Sequence, residues 1–184
     1  MKKYILIAGV NGAGKSTLYQ TLGFLKNMPR VNTDEIVREF GDWRNISDVM
    51  RAGKIGVYKI KEYFEKGISF NQETTLCGNS IIRNIDKAKE RGYKVEIHYV
   101  GVDSVQIAKD RIAYRVAHGG HGISDEDVER RYQESFEKLR QIIKKCDRVI
   151  MYDNTIAFKR FAVYEEGKRI ELSDEPPKWY EKVI

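Results

Sequence analysis

A chain of 184 residues with 41% hydrophobic and 33% charged side chains has a globular composition and the length of one ordinary domain with a buried core. No apolar run approaches the roughly 20 residues of a membrane-spanning helix, and two cysteines, Cys77 and Cys146, supply neither a disulfide framework nor metal-ligand spacing. The net charge of +6 is dispersed, with acids and bases interleaved in KIKEYFEKG and DKAKERGYK, which argues for a solvated basic surface and against nucleic-acid binding.

The start, MKKYILIAGV, imitates a secretory signal, but its apolar stretch is short and runs into glycines instead of a cleavage site. It is read as the first core strand of a cytoplasmic protein with no membrane partner. Further along, short apolar strands are expected at Tyr4–Ala8, Arg30–Asn32, Ser69–Glu73, Val95–Val100 and Arg148–Tyr152. Amphipathic helices are expected near Ser16–Leu25, Asp48–Lys66, Ile81–Arg91, Ser104–Ala117 and Asp125–Lys144, the last opened by a Ser124/Asp127 capping box. Strands alternating with helices predict an α/β fold on a parallel sheet. Phe158–Leu172, broken at Glu166-Gly167, predicts a terminal β-hairpin.

Gly9-Val10-Asn11-Gly12-Ala13-Gly14-Lys15-Ser16 fits GxxxxGK[ST], the P-loop or Walker A signature, after a strand and before a helix. Glycines let successive N–H groups turn inward around phosphate oxygens, and the following helix adds its positive end. The motif assigns ATP binding to Gly9, Asn11, Gly12, Ala13, Gly14, Lys15, Ser16 and Thr17. Lys15 reaches the β- and γ-phosphates, and the Ser16 hydroxyl ligates Mg²⁺.

Four acids end strand-like runs: Asp34, Glu73, Asp103 and Asp153. Ligands of open α/β sheets sit at the carboxyl ends of strands, so all four qualify by position. Asp103 is read as the N-cap of the following helix, and Asp153 as part of a turn with Asn154 near the nucleotide base. Asp34 and Glu73 follow the strands expected beside the first, nearest the γ-phosphate. Arg111 and Arg115 lie four apart on one helix, and Arg130 and Arg131 on the next, across the hinge His118-Gly119-Gly120-His121-Gly122. This arrangement predicts a closing lid whose arginines stabilise charge during phosphoryl transfer, with two salt-bridged surface helices joined by a mobile turn as the alternative. His118 and His121 lack a third ligand for a metal, and His98 is read as packed or solvated.

Together the P-loop, VNTDEI, ETTLCG, RVAHGGHGISDEDVERRYQESFEKL and VIMYDNT resemble the zeta toxin family of P-loop kinases, over about residues 4–155. The resemblance implies a P-loop NTPase fold, with a parallel five-stranded sheet of order 2-3-1-4-5 and helices on both faces. It places a kinase core at 1–155 with a lid at about 115–131, and leaves 156–184 as hairpin and tail of the same domain. It implies transfer of the ATP γ-phosphate to a hydroxyl of a UDP-amino sugar such as UDP-N-acetylglucosamine. Residue by residue, Lys15 and Ser16 match the ATP and Mg²⁺ positions, and Asp34 matches the acid that activates the acceptor. Glu73, with Asn32 and Thr74, falls on the acceptor side, and Glu73 also in the metal region. Arg115 and Arg131 match the lid arginines, with Arg111 and Arg130 as alternatives. The chain is shorter than the characterised toxins, which places it in a compact zeta-like branch. For that branch neither toxicity nor acceptor follows, and pairing with an antitoxin is left open. A polynucleotide 5′-hydroxyl kinase uses a similar loop, acid and arginines, but a continuous basic stripe is missing. A nucleotide-dependent switch without transfer chemistry has no need of an activating Asp34.

Overall fold

The computed structural model describes residues 1–184. Strand β1 (Lys3–Ala8) lies at the centre of the sheet, parallel to β3 (Phe70–Thr74) on one side and β4 (Lys94–Gly101) on the other. A strand covered on both faces needs apolar residues at successive positions, and Tyr4–Ala8 are all fully buried. The short β2 (Arg30–Val31) extends the sheet beyond β3, and β5 (Arg148–Asp153) runs parallel to β4.

The sheet is larger than the expected five parallel strands. The hairpin β6 (Lys159–Glu165) and β7 (Lys168–Leu172) pairs antiparallel onto β5, giving seven strands in the order β2-β3-β1-β4-β5-β6-β7. The outer edge of β5 carries N–H and C=O groups that need partners, and the hairpin supplies them. Glu166 and Gly167, with φ of +48° and +76°, form its two-residue turn.

Helices α1 (Lys15–Thr21), α2 (Thr33–Phe40), α3 (Ile46–Lys66), α4 (Ser80–Glu90), α5 (Val105–Ala117) and α6 (Asp125–Ile142) complete the fold. Helix α2 was not expected from the sequence. It starts because the Asn32 side chain accepts from the N–H groups of Asp34 (3.0 Å) and Glu35 (3.4 Å). The cap of α5 also differs from expectation: Ser104 Oγ accepts from the Ile107 N–H at 3.3 Å, so Asp103 is not the cap. At α6, Ser124 accepts from the Asp127 N–H at 3.3 Å, while the Asp127 carboxylate turns to Arg130 at 2.6 Å. No helix is long and apolar enough to cross a membrane.

The tail closes the core against β4, α6 and β6. Trp179, in a 3₁₀ turn over Lys178–Lys182, is fully buried, with its ring 5.2–5.6 Å from Phe161, Phe136 and Tyr99. Its backbone N–H donates to Asp103 (3.1 Å) and its indole N–H to Asp153 (2.9 Å), which explains where both of those acids point. A Cβ at Gly101 would lie 2.3 Å from the indole, so the last residue of β4 must be glycine for the tail to dock. Trp179→Ala is therefore expected to destabilise the protein by about 3–5 kcal/mol, measured by urea unfolding. A loss below about 1 kcal/mol would show that the tail lies on the core without supporting it.

Candidate active site

The chain leaves β1 at Ala8 and turns through the glycine loop into α1. Gly12 and Gly14 have φ of +79° and +108°, and a Cβ at Gly12 would lie 2.5 Å from the Ala108 carbonyl oxygen. Conformation and space both demand glycine there. The loop is fastened from behind: the Gly9 N–H donates to Thr74 O at 3.2 Å, and Asn154 Nδ2 donates to Ala13 O at 2.8 Å. Gly9 and Ala13 thus support the loop, while Asn11, Gly12, Gly14, Lys15, Ser16 and Thr17 face open space. The first N–H groups of α1 have no intrahelical acceptor and add to the donors there.

Two clefts open at the carboxyl end of the sheet. The smaller, about 550 Å³, is lined without any hydrophobic side chain by the glycine loop, α1, Arg38, Arg111, Arg115 and Asn154. The larger, about 780 Å³, runs between α2, the start of α3, the β3 end and the α5–α6 loop, with Trp43, Val37, Val49 and Ile123 among its walls. Asn11, Lys15, Asn32, Asp34 and Glu73 line both.

At this junction Lys15 is 8% exposed and donates from Nζ to Val10 O at 3.1 Å. Burial pushes its ammonium pKa below the usual value, against the upward pull of Glu73 and Asp34. Glu73 stands at the end of β3. Its Oε2 accepts from Arg30 (2.5 Å) and Asn32 (3.1 Å), and lies 3.5 Å from the Ser16 hydroxyl. Arg30 is itself held over the Tyr19 ring at 3.5 Å. Asn32 acts twice, since its carbonyl caps α2 while its amide donates to Glu73. That cap places Asp34 in the first turn of α2, with its carboxylate in both clefts. The Thr74 hydroxyl accepts from the Leu76 N–H at 3.0 Å and shapes the floor of the larger cleft.

The arginines divide. Arg115 lines the smaller cleft, and its Nε and Nη2 are buried with no hydrogen-bond partner. Arg131 reaches the junction from α6, donating to Asn11 Oδ1 at 3.3 Å. Arg111 is anchored on the carbonyls of Asn154 (2.8 Å) and Thr155 (3.3 Å) at the edge of the smaller cleft. Arg130 points away, paired with Asp127 (2.6 Å) and Glu134 (3.1 Å), and does not substitute for Arg131. Asp153, expected near the base, lines neither cleft, because its carboxylate bonds Thr155 and Trp179. His118 bonds the Tyr114 carbonyl at 2.8 Å, apart from His121, which faces Asp34. His98 is buried between Glu96 (2.7 Å) and Tyr152 (3.1 Å).

The sequence reading missed Arg30, Trp43 and His121 as parts of this site. Arg30 opens a two-residue strand, and no spacing rule marks it as a partner of Glu73. From the sequence His121 is a hinge residue of the lid with metal-like spacing to His118, and nothing pairs it with Asp34. Its proximity to Asp34 depends on how the α5–α6 loop returns across the cleft.

The family model for the zeta toxin matches residues 1–168. An uncharacterised protein of Haemophilus influenzae is 34% identical over 132 residues, covering 71% of this chain and 92% of that one. Among solved structures, the AvrRxo1-ORF1:-ORF2 complex with ATP aligns with all of this chain at a TM-score of 0.72 and 16% identity. This chain spans 63% of the length of that one. The PezAT toxin–antitoxin system of Streptococcus pneumoniae aligns with 86% of this chain and 70% of that one, at a TM-score of 0.62 and 16% identity. At such identities the structures show a shared fold, and the family match adds descent. The chain belongs to the zeta toxin family of P-loop kinases.

Proposed function

We propose that the chain transfers the γ-phosphoryl group of ATP to a hydroxyl of a small molecule, with a UDP-linked amino sugar as the acceptor class. The observation that carries this reading is the pair of clefts meeting at Asn11, Lys15, Asn32, Asp34 and Glu73. One cleft is wholly polar and built on a P-loop. The other is larger, partly apolar and of a size that holds a small organic ligand. A site that only bound or hydrolysed a nucleotide would have no use for the second. The ATP-containing AvrRxo1 structure and the family support the choice of donor. Family membership favours the UDP-amino sugar.

The unpaired donors of Arg115 test the fit of a triphosphate. Buried guanidinium N–H groups without partners are costly, and phosphate oxygens would satisfy them. Lys15 would balance charge between the β- and γ-phosphates. No three His, Cys, Asp or Glu side chains form a metal cluster by themselves. The Ser16 hydroxyl and Glu73 carboxylate are hard oxygen donors that suit Mg²⁺ together with nucleotide oxygens. When bound, Mg²⁺ neutralises phosphate charge. In the transfer, the acceptor oxygen forms a bond to the γ-phosphorus as the bond to the β–γ bridging oxygen breaks, releasing ADP. The acceptor proton passes to the Asp34 carboxylate. Arg131 and Arg115, on the two sides of a lid over about 115–131, would hold the equatorial oxygens. We assign the kinase core to 1–155, with 156–184 as the hairpin and tail of the same domain.

Incubation with γ-labelled ATP and, in parallel, water, UDP-N-acetylglucosamine and 5′-hydroxyl oligonucleotides tests the acceptor. Label on the UDP-sugar is the expected result. Label on oligonucleotides alone would make the enzyme a polynucleotide kinase, and nucleotide binding without transfer would make it a switch.

Lys15→Ala is expected to abolish transfer and weaken ATP binding, measured by calorimetry, because the phosphates lose their nearest cation. Asp34→Asn keeps the shape and removes the basicity. It should lower turnover about 10²–10⁴-fold while ATP affinity stays within about threefold. Loss of Mg²⁺-dependent ATP binding in that variant would instead assign Asp34 to the metal and leave Glu73 as the base.

A further inference from the structure

We propose that His121 is a positioning residue for Asp34, delivered by the α5–α6 loop, so that the carboxylate is set for proton transfer only when that loop is docked. The inference rests on the kinase reading above and adds a residue to it.

His121 Nε2 lies 3.7 Å from Asp34 Oδ1 and is the only basic group within 4 Å of that carboxylate. It faces one oxygen and leaves the other to an acceptor hydroxyl. The imidazole is held from behind by the Trp43 ring, with centroids 5.1 Å apart. Its neighbour Gly122 is packed so closely that a Cβ there would lie 2.7 Å from Trp43 and 2.9 Å from Val116. The loop is thus seated on a wall of the larger cleft, and His121 is the side chain it presents to the junction. Asp34 itself is fixed at the backbone by the Asn32 cap, but no other side chain orients its carboxylate. A base whose carboxylate can rotate loses alignment with its substrate, and a misplacement of about 1 Å can cost about a hundredfold in rate.

The charge around His121 sets its working form. Asp34 and Arg38 face it from α2, Arg115 from α5 and Arg131 from α6. Burial and the three arginines hold its pKa below the usual histidine value, against the pull of Asp34. The lowered pKa favours the uncharged ring, whose polar edge, 3.7 Å from Asp34 Oδ1, orients the carboxylate without drawing off the negative charge that makes it basic. Acidification protonates the ring, converts the contact to a full ion pair and weakens the base.

Two measurements test this on the full chain. In the first, the ring resonances of the three histidines, His98, His118 and His121, are titrated by NMR in wild type and Asp34→Asn. The expected result is a further fall in the His121 pKa alone, because its one stabilising anion is gone. An unchanged His121 titration would overturn the proposal, since the pair would not be in contact in solution. In the second, kcat and KM are followed from pH 5 to 9 for His121→Ala and His121→Gln. His121→Ala should lose about 10- to 100-fold in kcat, with KM for ATP within about threefold. Glutamine keeps a donor at similar reach. It should recover most of that rate at neutral pH while shifting the acid limb of the kcat profile. Equal losses in both variants with an unshifted acid limb would overturn the proposal and leave His121 as loop packing. Wild type that transfers no phosphate to any acceptor, with the NMR coupling intact, would overturn it through the kinase reading alone.

Discussion

The carboxylate of Glu73 joins the parts on which the site depends. One oxygen receives Arg30 and Asn32 from β2 and its exit, and faces the Ser16 hydroxyl on α1. A largely buried carboxylate needs such partners, since its desolvation is costly unless charge and hydrogen bonds offset it. Arg30 is held in turn by the Tyr19 ring on α1 and by Glu35 on α2. The end of β3 therefore cannot shift without moving the glycine loop and the start of α2. Asn32 carries the constraint onward, because its two polar atoms serve Glu73 and the α2 cap at once. The position of Asp34 relative to Lys15 follows from that network.

The fold places this junction where parallel sheets collect ligands. Strand β1 and its neighbour β3 send their connections in opposite directions along the sheet, β1 out to β2 and β3 across to β4, and the gap between those departures is where a phosphate chain fits. Lys15, Arg38, Arg111, Arg115 and Arg131 converge there on a chain whose other charges are largely interleaved. The concentration is local, which is why the modest net charge of +6 says little about the site.

The packing around the tail answers to stability. Trp179 fills the space between β4, α6 and β6, and its two N–H groups occupy Asp103 and Asp153. Those acids sit at strand ends, as Asp34 and Glu73 are near theirs, yet they are turned toward the tail. Position at the carboxyl end of a strand is thus necessary for a place in the site but not sufficient. The direction of the side chain is settled by what packs beside it.

Local order along the chain determined the glycine loop, the strand–helix alternation, the hairpin turn at Glu166-Gly167 and the acids at Asp34 and Glu73. Each depends on residues within a few positions of one another, where backbone sterics, capping and hydrophobic period act directly on neighbours. Helix α2 escaped that reading because it follows a strand of only two residues and carries one short apolar face. Only the tertiary structure decided that the hairpin joins the sheet, that Ser104 and not Asp103 caps α5, and that Arg130 turns from the cleft. The same holds for Arg30 on Glu73, 43 residues apart, and for His121 opposite Asp34. Contacts of that span arise from packing whole elements together, and no local spacing in the chain encodes which side chains then meet.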